Sequence, residues 1–197
     1  MKTLLSTLFV AALTMSAESS LRTTGSPNAP ITIEVFSDFQ CPHCKLLHFG
    51  ALKEAAADCV AAGKVKIVNR DYPLPQHPYS KLAASYAIAA SRIGKYERVC
   101  DELFREQNVW GANGNVDATV AAVLTKVEMD KIRRMIVDPR TLAGIEGEIA
   151  QDKALGNKIP LQSTPTMILT YKGKTYPMVG DVRYDLMKRL IDNLLAK

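Results

Sequence analysis

The stretch that decides the fold is Ile31-Thr32-Ile33-Glu34-Val35-Phe36-Ser37-Asp38-Phe39-Gln40-Cys41-Pro42-His43-Cys44. Ile31 to Phe36 is β-branched and almost continuously apolar, which predicts a buried strand. Ser37 to Gln40 predicts a turn. Cys41-Pro42 opens a helix, because proline is favoured in the first helical position. The helix is expected to run to Ala62 and to stop at Gly63. Two cysteines three residues apart at the start of a helix following a buried strand are a chemical arrangement as well as a structural one.

A thiolate attacks disulfides and a thiol does not, so such a site has to stabilise one sulfur anion and keep a second sulfur in reach. Cys41 stands where free backbone N–H groups and the positive end of the helix point at its sulfur. Cys44 lies one turn on. His43 adds a donor and, when protonated, a positive charge. All three favour the reduced form, and a disulfide whose reduced form is stabilised is a strong oxidant. Two other readings are weaker. A static disulfide across so short a loop would add little cross-linking. A metal site recruiting His43, His48 and Cys59 would find them spread along the helix; no metal and no cofactor is expected.

Outward from this stretch, Lys64 to Asn69 predicts a second strand and Tyr72 to Pro78 a proline-rich loop. Residues from Tyr79 to about Lys158 are helical in pattern, broken at Gly94, at Gly111 to Asn115 and at Pro139. Thr166 to Thr170 predicts a strand, turned at Lys172-Gly173-Lys174 into a partner strand from Thr175 to Val179. Asp181 is the expected cap of a last helix whose buried stripe is Leu186, Leu190, Ile191 and Leu194. The fold class is α/β, with segments 31–76 and 159–197 forming one domain around a helical insertion at 77–158.

The chain has 197 residues and a formal charge of +5. Its Lys and Arg are scattered and carry no aromatic interleaving, which argues for a solvated surface and against a nucleic-acid partner. Residues 1–19 combine one positive charge, a short apolar core and small residues, the pattern of a secretory signal, with an uncleaved anchor as the alternative. Residues 20–30 are expected to be a polar linker. An exported protein meets an oxidising environment, where four cysteines suggest disulfide chemistry. Cys59 and Cys100, both on apolar faces, are then either a structural disulfide or two buried thiols. Cys59 falls about 22 Å along the helix from Cys44, too far to join its exchange.

The run from Glu34 to Cys44, with Thr164-Pro165-Thr166 downstream, resembles the DsbA-like branch of the thioredoxin superfamily, closest to the subgroup carrying Ser-Asp-Phe-Gln-Cys-Pro-x-Cys. The resemblance covers about Gly25 to Lys197 and implies a thioredoxin-like fold with a helical insertion. It implies that Cys41 is an exposed nucleophile, Cys44 a buried resolving thiol, and Pro42 and His43 the tuning dipeptide. Pro165 would be a cis-proline facing the disulfide, with Thr164 offering backbone to substrate. Glu34 would be a proton relay for Cys44, or else a buried acid paired with Lys66 or Arg70. Asp38 is expected to serve the turn. The implied activity is that of an extracytoplasmic monomeric oxidase. It would pass its disulfide to reduced or unfolded exported proteins and be regenerated by a membrane-embedded thiol oxidase. A reductase or isomerase on the same fold, or a non-redox peptide- or metal-binding module, are the alternatives.

Overall fold

A computed structural model describes residues 21–159 and 161–196. The signal expected at residues 1–19 lies outside the described residues. Among those described, no helix is long and apolar enough to cross a membrane.

Five strands form one mixed sheet: β1 (Thr23–Thr24), β2 (Ile31–Ser37), β3 (Val65–Asp71), β4 (Thr166–Tyr171) and β5 (Lys174–Val179), in the order β1-β3-β2-β4-β5. β2 and β3 run parallel, and the remaining neighbours are antiparallel. β2 has partners on both sides, which accounts for its apolar run. β5 is an edge, so Pro177 costs the ladder no central hydrogen bond. The segment expected to be a polar linker instead contributes β1. Gly25 follows it at φ +109°, where a Cβ would stand 2.7 Å from the Val65 carbonyl oxygen, so the chain hugs β3 only because that residue is glycine.

The helix after β2 is not the single rod its sequence suggests. α1 (Pro42–Leu47) passes into a π-helical segment at His48–Leu52, then α2 (Lys53–Ala55), then a second π-helical segment at Ala56–Val60. The break centres on Gly50, with φ −92° and ψ −110°. Glycine permits that geometry, and π-turns commonly take up such kinks. Gly63, at φ +70°, stands at the expected end.

Among the described residues, six helices lie between β3 and β4: α3 (Ser80–Ser91), α4 (Tyr96–Arg105), α5 (Gln107–Asn113), α6 (Val116–Ala121), α7 (Lys126–Val137) and α8 (Pro139–Lys158). α3 buries ten of its twelve residues, mostly Ala and Ser, and is the axis around which its neighbours pack. The chain closes with α9 (Tyr184–Leu195). Its first turn follows Arg183, two residues beyond the expected Asp181 cap, and its buried residues are Met187, Ile191 and Leu194, leaving Leu186 half-exposed.

Two hydrophobic cores result. One joins Ile31, Ile33 and Val35 of β2 to Leu47, Ala55, Met167, Met187 and Ile191. The other lies in the helical insertion around Trp110, Leu103, Ile132 and Ile145, and it reaches out to include Phe39, Cys41 and Cys44. The Cys-x-x-Cys turn therefore sits at the seam between the cores.

Trp110 is fully buried, and its indole N–H donates to the Leu103 carbonyl at 2.7 Å. Trp110→Ala should lower the unfolding free energy by roughly 3–5 kcal/mol, measured by chemical denaturation of the purified protein.

Candidate active site

Asp38 organises the turn. Its side chain is fully buried and its carboxylate accepts four hydrogen bonds: from the Gln40 N–H at 2.7 Å, the Leu74 N–H at 2.7 Å, His77 Nδ1 at 2.8 Å and the Ser80 hydroxyl at 2.6 Å. The first is the turn bond expected of an Asp here. The other three tie the turn to the loop after β3 and to the start of α3. The backbone does the rest. The Cys41 N–H donates to the Asp38 carbonyl at 3.1 Å, and the Asp38 N–H points at Cys44 Sγ at 3.4 Å. From α5, Gln107 Nε2 donates to the carbonyls of Phe39 at 2.7 Å and Cys41 at 3.0 Å.

Cys41 is the N-cap of α1 and Pro42 its first residue. The Cys41 thiol donates to the Thr164 carbonyl at 3.3 Å, and the Thr164-Pro165 peptide bond is cis. Residues far apart in sequence thus face each other. Cys41 is only 5% exposed against 1% for Cys44, so the nucleophile is more covered than the resemblance implies. The Thr164 segment lies over it.

The two sulfurs are driven in opposite directions. The Cys41 thiol falls to about 5. The largest cause is the hydrogen bond with the Cys44 thiol, which outweighs burial; the Thr164 side chain and the backbone N–H groups of Cys44 and His43 add to it. Cys44 is pushed well above the usual thiol range by burial first, and then by its neighbour Cys41. Ser37 and the Asp38 backbone oppose that rise. The Thr164 hydroxyl is buried with no hydrogen-bond partner among the described residues, which suits a donor reserved for the thiolate.

His43 contributes through its backbone. Its imidazole turns away from the sulfur, with Nδ1 3.2 Å from Asp181 Oδ1 on an exposed surface. Glu34 does not reach the site. It accepts from Arg70 Nε at 3.0 Å and Nη2 at 2.7 Å, the pairing that was the alternative to a proton relay. Strand parity is the reason: Val35 and Ser37 line the cavity under Cys44, and Glu34 projects from the other face of β2.

Cys59 and Cys100 form no disulfide; all four cysteines are free thiols. They belong to different cores, Cys59 to that of the sheet and Cys100 to that of the insertion. Cys59 Sγ lies 3.5 Å from the Tyr184 hydroxyl, whereas burial raises Cys100 beside Tyr96.

Sequence reasoning did not single out Ser37, Gln107 or the span of Asp38. Asp38 followed two residues later by Gln40 announces the turn, but no local signal marks Gln107, which arrives from a helix of the insertion.

Cys41 should titrate near 5 in the reduced protein, followed by thiolate absorbance. Thr164→Val should raise that midpoint by about one unit, since it removes one hydrogen bond to an anion. Because the folded value lies below the unfolded one, the Cys41 contribution to stability is complete above the unfolded thiol range near 9 and is lost as pH falls through about 5. The difference in stability between the reduced protein and a Cys41→Ala variant, measured by denaturation, should therefore grow from pH 5 to 9.

Comparison with known proteins places this geometry. The chain is 30% identical over 146 residues to the Na(+)/H(+) antiporter NhaA 3 of Salinispora tropica, a match covering 74% of this chain but only 21% of the antiporter. It is 22% identical over 188 residues to the probable disulfide bond formation protein D of Bacillus cereus, covering 93% of this chain and 82% of that protein. Among solved structures, a cysteine-to-alanine variant of alpha-DsbA1 from Wolbachia pipientis superposes with a TM-score of 0.73 at 22% identity, over 90% of this chain and 94% of the other. Oxidised BdbD from Bacillus subtilis gives 0.72 at 22% identity, over 89% and 92%. The family profile described as Thioredoxin matches residues 18–193. With a match across nearly its whole length, a cis-proline facing a Cys-x-x-Cys turn and helices inserted between β3 and β4, the chain belongs to the thioredoxin family and has the DsbA-like architecture.

Proposed function

We propose that the protein is a thiol–disulfide oxidoreductase working outside the cytoplasm as an oxidase, donating a Cys41–Cys44 disulfide to exported proteins. The observation that carries this reading is the separation of the two thiols. Cys41 is held near 5 while Cys44 is driven well above the usual range. A couple whose reduced form contains a stabilised thiolate gives up its disulfide readily.

The chemistry follows from the positions. A substrate thiolate attacks Cys41 Sγ, the sulfur nearer the surface, and Cys44 leaves. A second substrate thiol then attacks the mixed disulfide and Cys41 departs as its stable thiolate, since a low-pKa thiol is the better leaving group. On this reading the Thr164 carbonyl, 3.3 Å from Cys41 Sγ, receives a backbone N–H from an extended substrate segment. Reduced or unfolded exported proteins are the substrates on this reading, and a membrane-embedded thiol oxidase restores the disulfide. The relatives named as disulfide bond formation proteins support the same class of activity.

Equilibration with glutathione buffers should give an oxidising potential, well above that of a structural disulfide; a strongly reducing value would favour the reductase reading instead. Cys44→Ala should accumulate covalent complexes with substrate on non-reducing gels: it removes the largest support of the Cys41 thiolate, but the Thr164 side chain and the backbone N–H groups at positions 43 and 44 remain, and nothing within the protein resolves the product. Cys41→Ala should accumulate none. Equal trapping by both variants would overturn the assignment of roles.

A further inference from the structure

We propose that Asp71, at the end of β3, exchanges the proton of Cys44 through the cavity beneath the active-site turn. The inference deepens the thiol–disulfide reading and rests on it.

Cys44 is 1% exposed and has to release or gain a proton each time its bond to Cys41 forms or breaks, so the proton needs an internal partner. The space behind it is a cavity of about 80 Å³ lined by Cys44, Ser37, Asp71, Tyr96, Cys100 and His48 among others. That is room for several waters beside polar walls. Ser37 and Asp71 are register partners in the parallel β2–β3 ladder. Register partners project from the same face of a sheet, so Asp71 shares the face of Val35 and Ser37 toward the cavity, and Glu34 projects from the opposite face.

Charge explains why Asp71 can hold a proton. Among the described residues, one hydrogen-bonded group joins Arg22, Arg70 and Arg92 to Glu34, Asp71, Glu148 and Asp152. Three cations face four carboxylates in a largely buried setting, so one bound proton brings the group to neutrality. Asp152 accepts from two arginines and from the Asp71 backbone N–H, and Glu148 also accepts from two arginines. Asp71 accepts from Arg22 alone among the arginines. Burial, with Asp152 and Glu148 adding, raises Asp71 to about 7 against the pull of Arg22. The other ionisable groups around the cavity are Arg70 from β3, Tyr96, Glu97 and Cys100 from α4, and His48 and Lys53 from the helix after β2. His48 Nε2 is taken by Asp101, and Lys53 binds the same carboxylate, so a protonated His48 would stand beside a second cation.

When Cys44 attacks a mixed disulfide on Cys41, its proton passes to the Asp71 carboxylate and the Cys41–Cys44 bond forms. The bond from Cys41 to the outgoing sulfur breaks, and that sulfur leaves with the electron pair as a thiolate. In the oxidase direction, protonated Asp71 returns the proton to Cys44 as its bond to Cys41 opens.

Reduced protein mixed rapidly with oxidised glutathione, and quenched at intervals for mass analysis, separates attack by Cys41 from resolution by Cys44. In Asp71→Asn, attack should proceed at the normal rate, whereas resolution should slow on the order of 10- to 100-fold and lose its inflection near pH 7. Asp152→Asn keeps Asp71 but removes a neighbouring negative charge, so its inflection should move to lower pH, a change that loss of packing alone would not produce. That second variant decides the matter if Asp71→Asn folds poorly. Resolution with an unchanged rate and inflection in Asp71→Asn would overturn the proposal, as would an inflection that survives there and vanishes in His48→Gln. If wild-type protein forms no mixed disulfide at all, the oxidoreductase reading fails and not merely the role of Asp71.

Discussion

A buried carboxylate is the constraint on which the site depends. Taking the Asp38 side chain out of water costs several kcal/mol unless its lone pairs are filled, and four donors from three separate stretches of chain fill them. Satisfying Asp38 therefore requires that the turn, the loop after β3 and the first residues of α3 come together in one arrangement. In that arrangement the Asp38 backbone N–H faces Cys44 Sγ and its carbonyl receives the Cys41 N–H. Both sulfurs are positioned by a residue that touches neither through its side chain.

The second consequence is the seam. A sheet-centred core alone would leave the active-site turn on an open edge. The insertion's core reaches out to cover it, and Gln107 fixes two of its carbonyls. Covering raises the cost of any charge, so the arrangement has to be selective. Cys41 keeps nearby donors and stays anionic at neutral pH, while Cys44, one turn deeper, stays a thiol. The two sulfurs move in opposite directions because hydrogen bonds outweigh burial at Cys41, whereas at Cys44 burial outweighs those from Ser37 and the Asp38 backbone.

The local elements of this fold are legible in the sequence, and the contacts between them are not. The β2 apolar run, Pro42 in the first helical turn and Gly63 as terminator are local signals, and each element they mark is present. Position within an element was less secure. The parity of Glu34 depends on which face of β2 meets the helix, and the sequence around it is apolar on both faces because the strand is central. The buried stripe of α9 is displaced because its first turn follows Arg183, two residues after the expected cap. The charge of His43 suggests direct help to the sulfur, but in the fold Asp181 draws the ring outward and only its backbone serves the sulfur. The Cys59–Cys100 alternative depended on distance between two elements that nothing local connects. No local pattern marks Gln107, which acts across the seam, where sequence separation is large and the pattern of each element says nothing of its neighbour.

Position also explains why the parity of one strand matters so much to the chemistry. With Val35, not Glu34, facing the helix, no carboxylate of β2 itself stands under Cys44, and the sheet core gains an apolar side chain where a charge would need a partner. Glu34 instead finds Arg70, and Arg70 in turn binds Asp152. The acid on β2 is thereby absorbed into the ion-paired group around Arg22 and Asp152. That group carries one carboxylate more than it has arginines, and Asp71 lies where it meets the cavity. The acidic side chain that shares the cavity with Cys44 therefore comes from the adjoining strand, at Asp71, and not from β2.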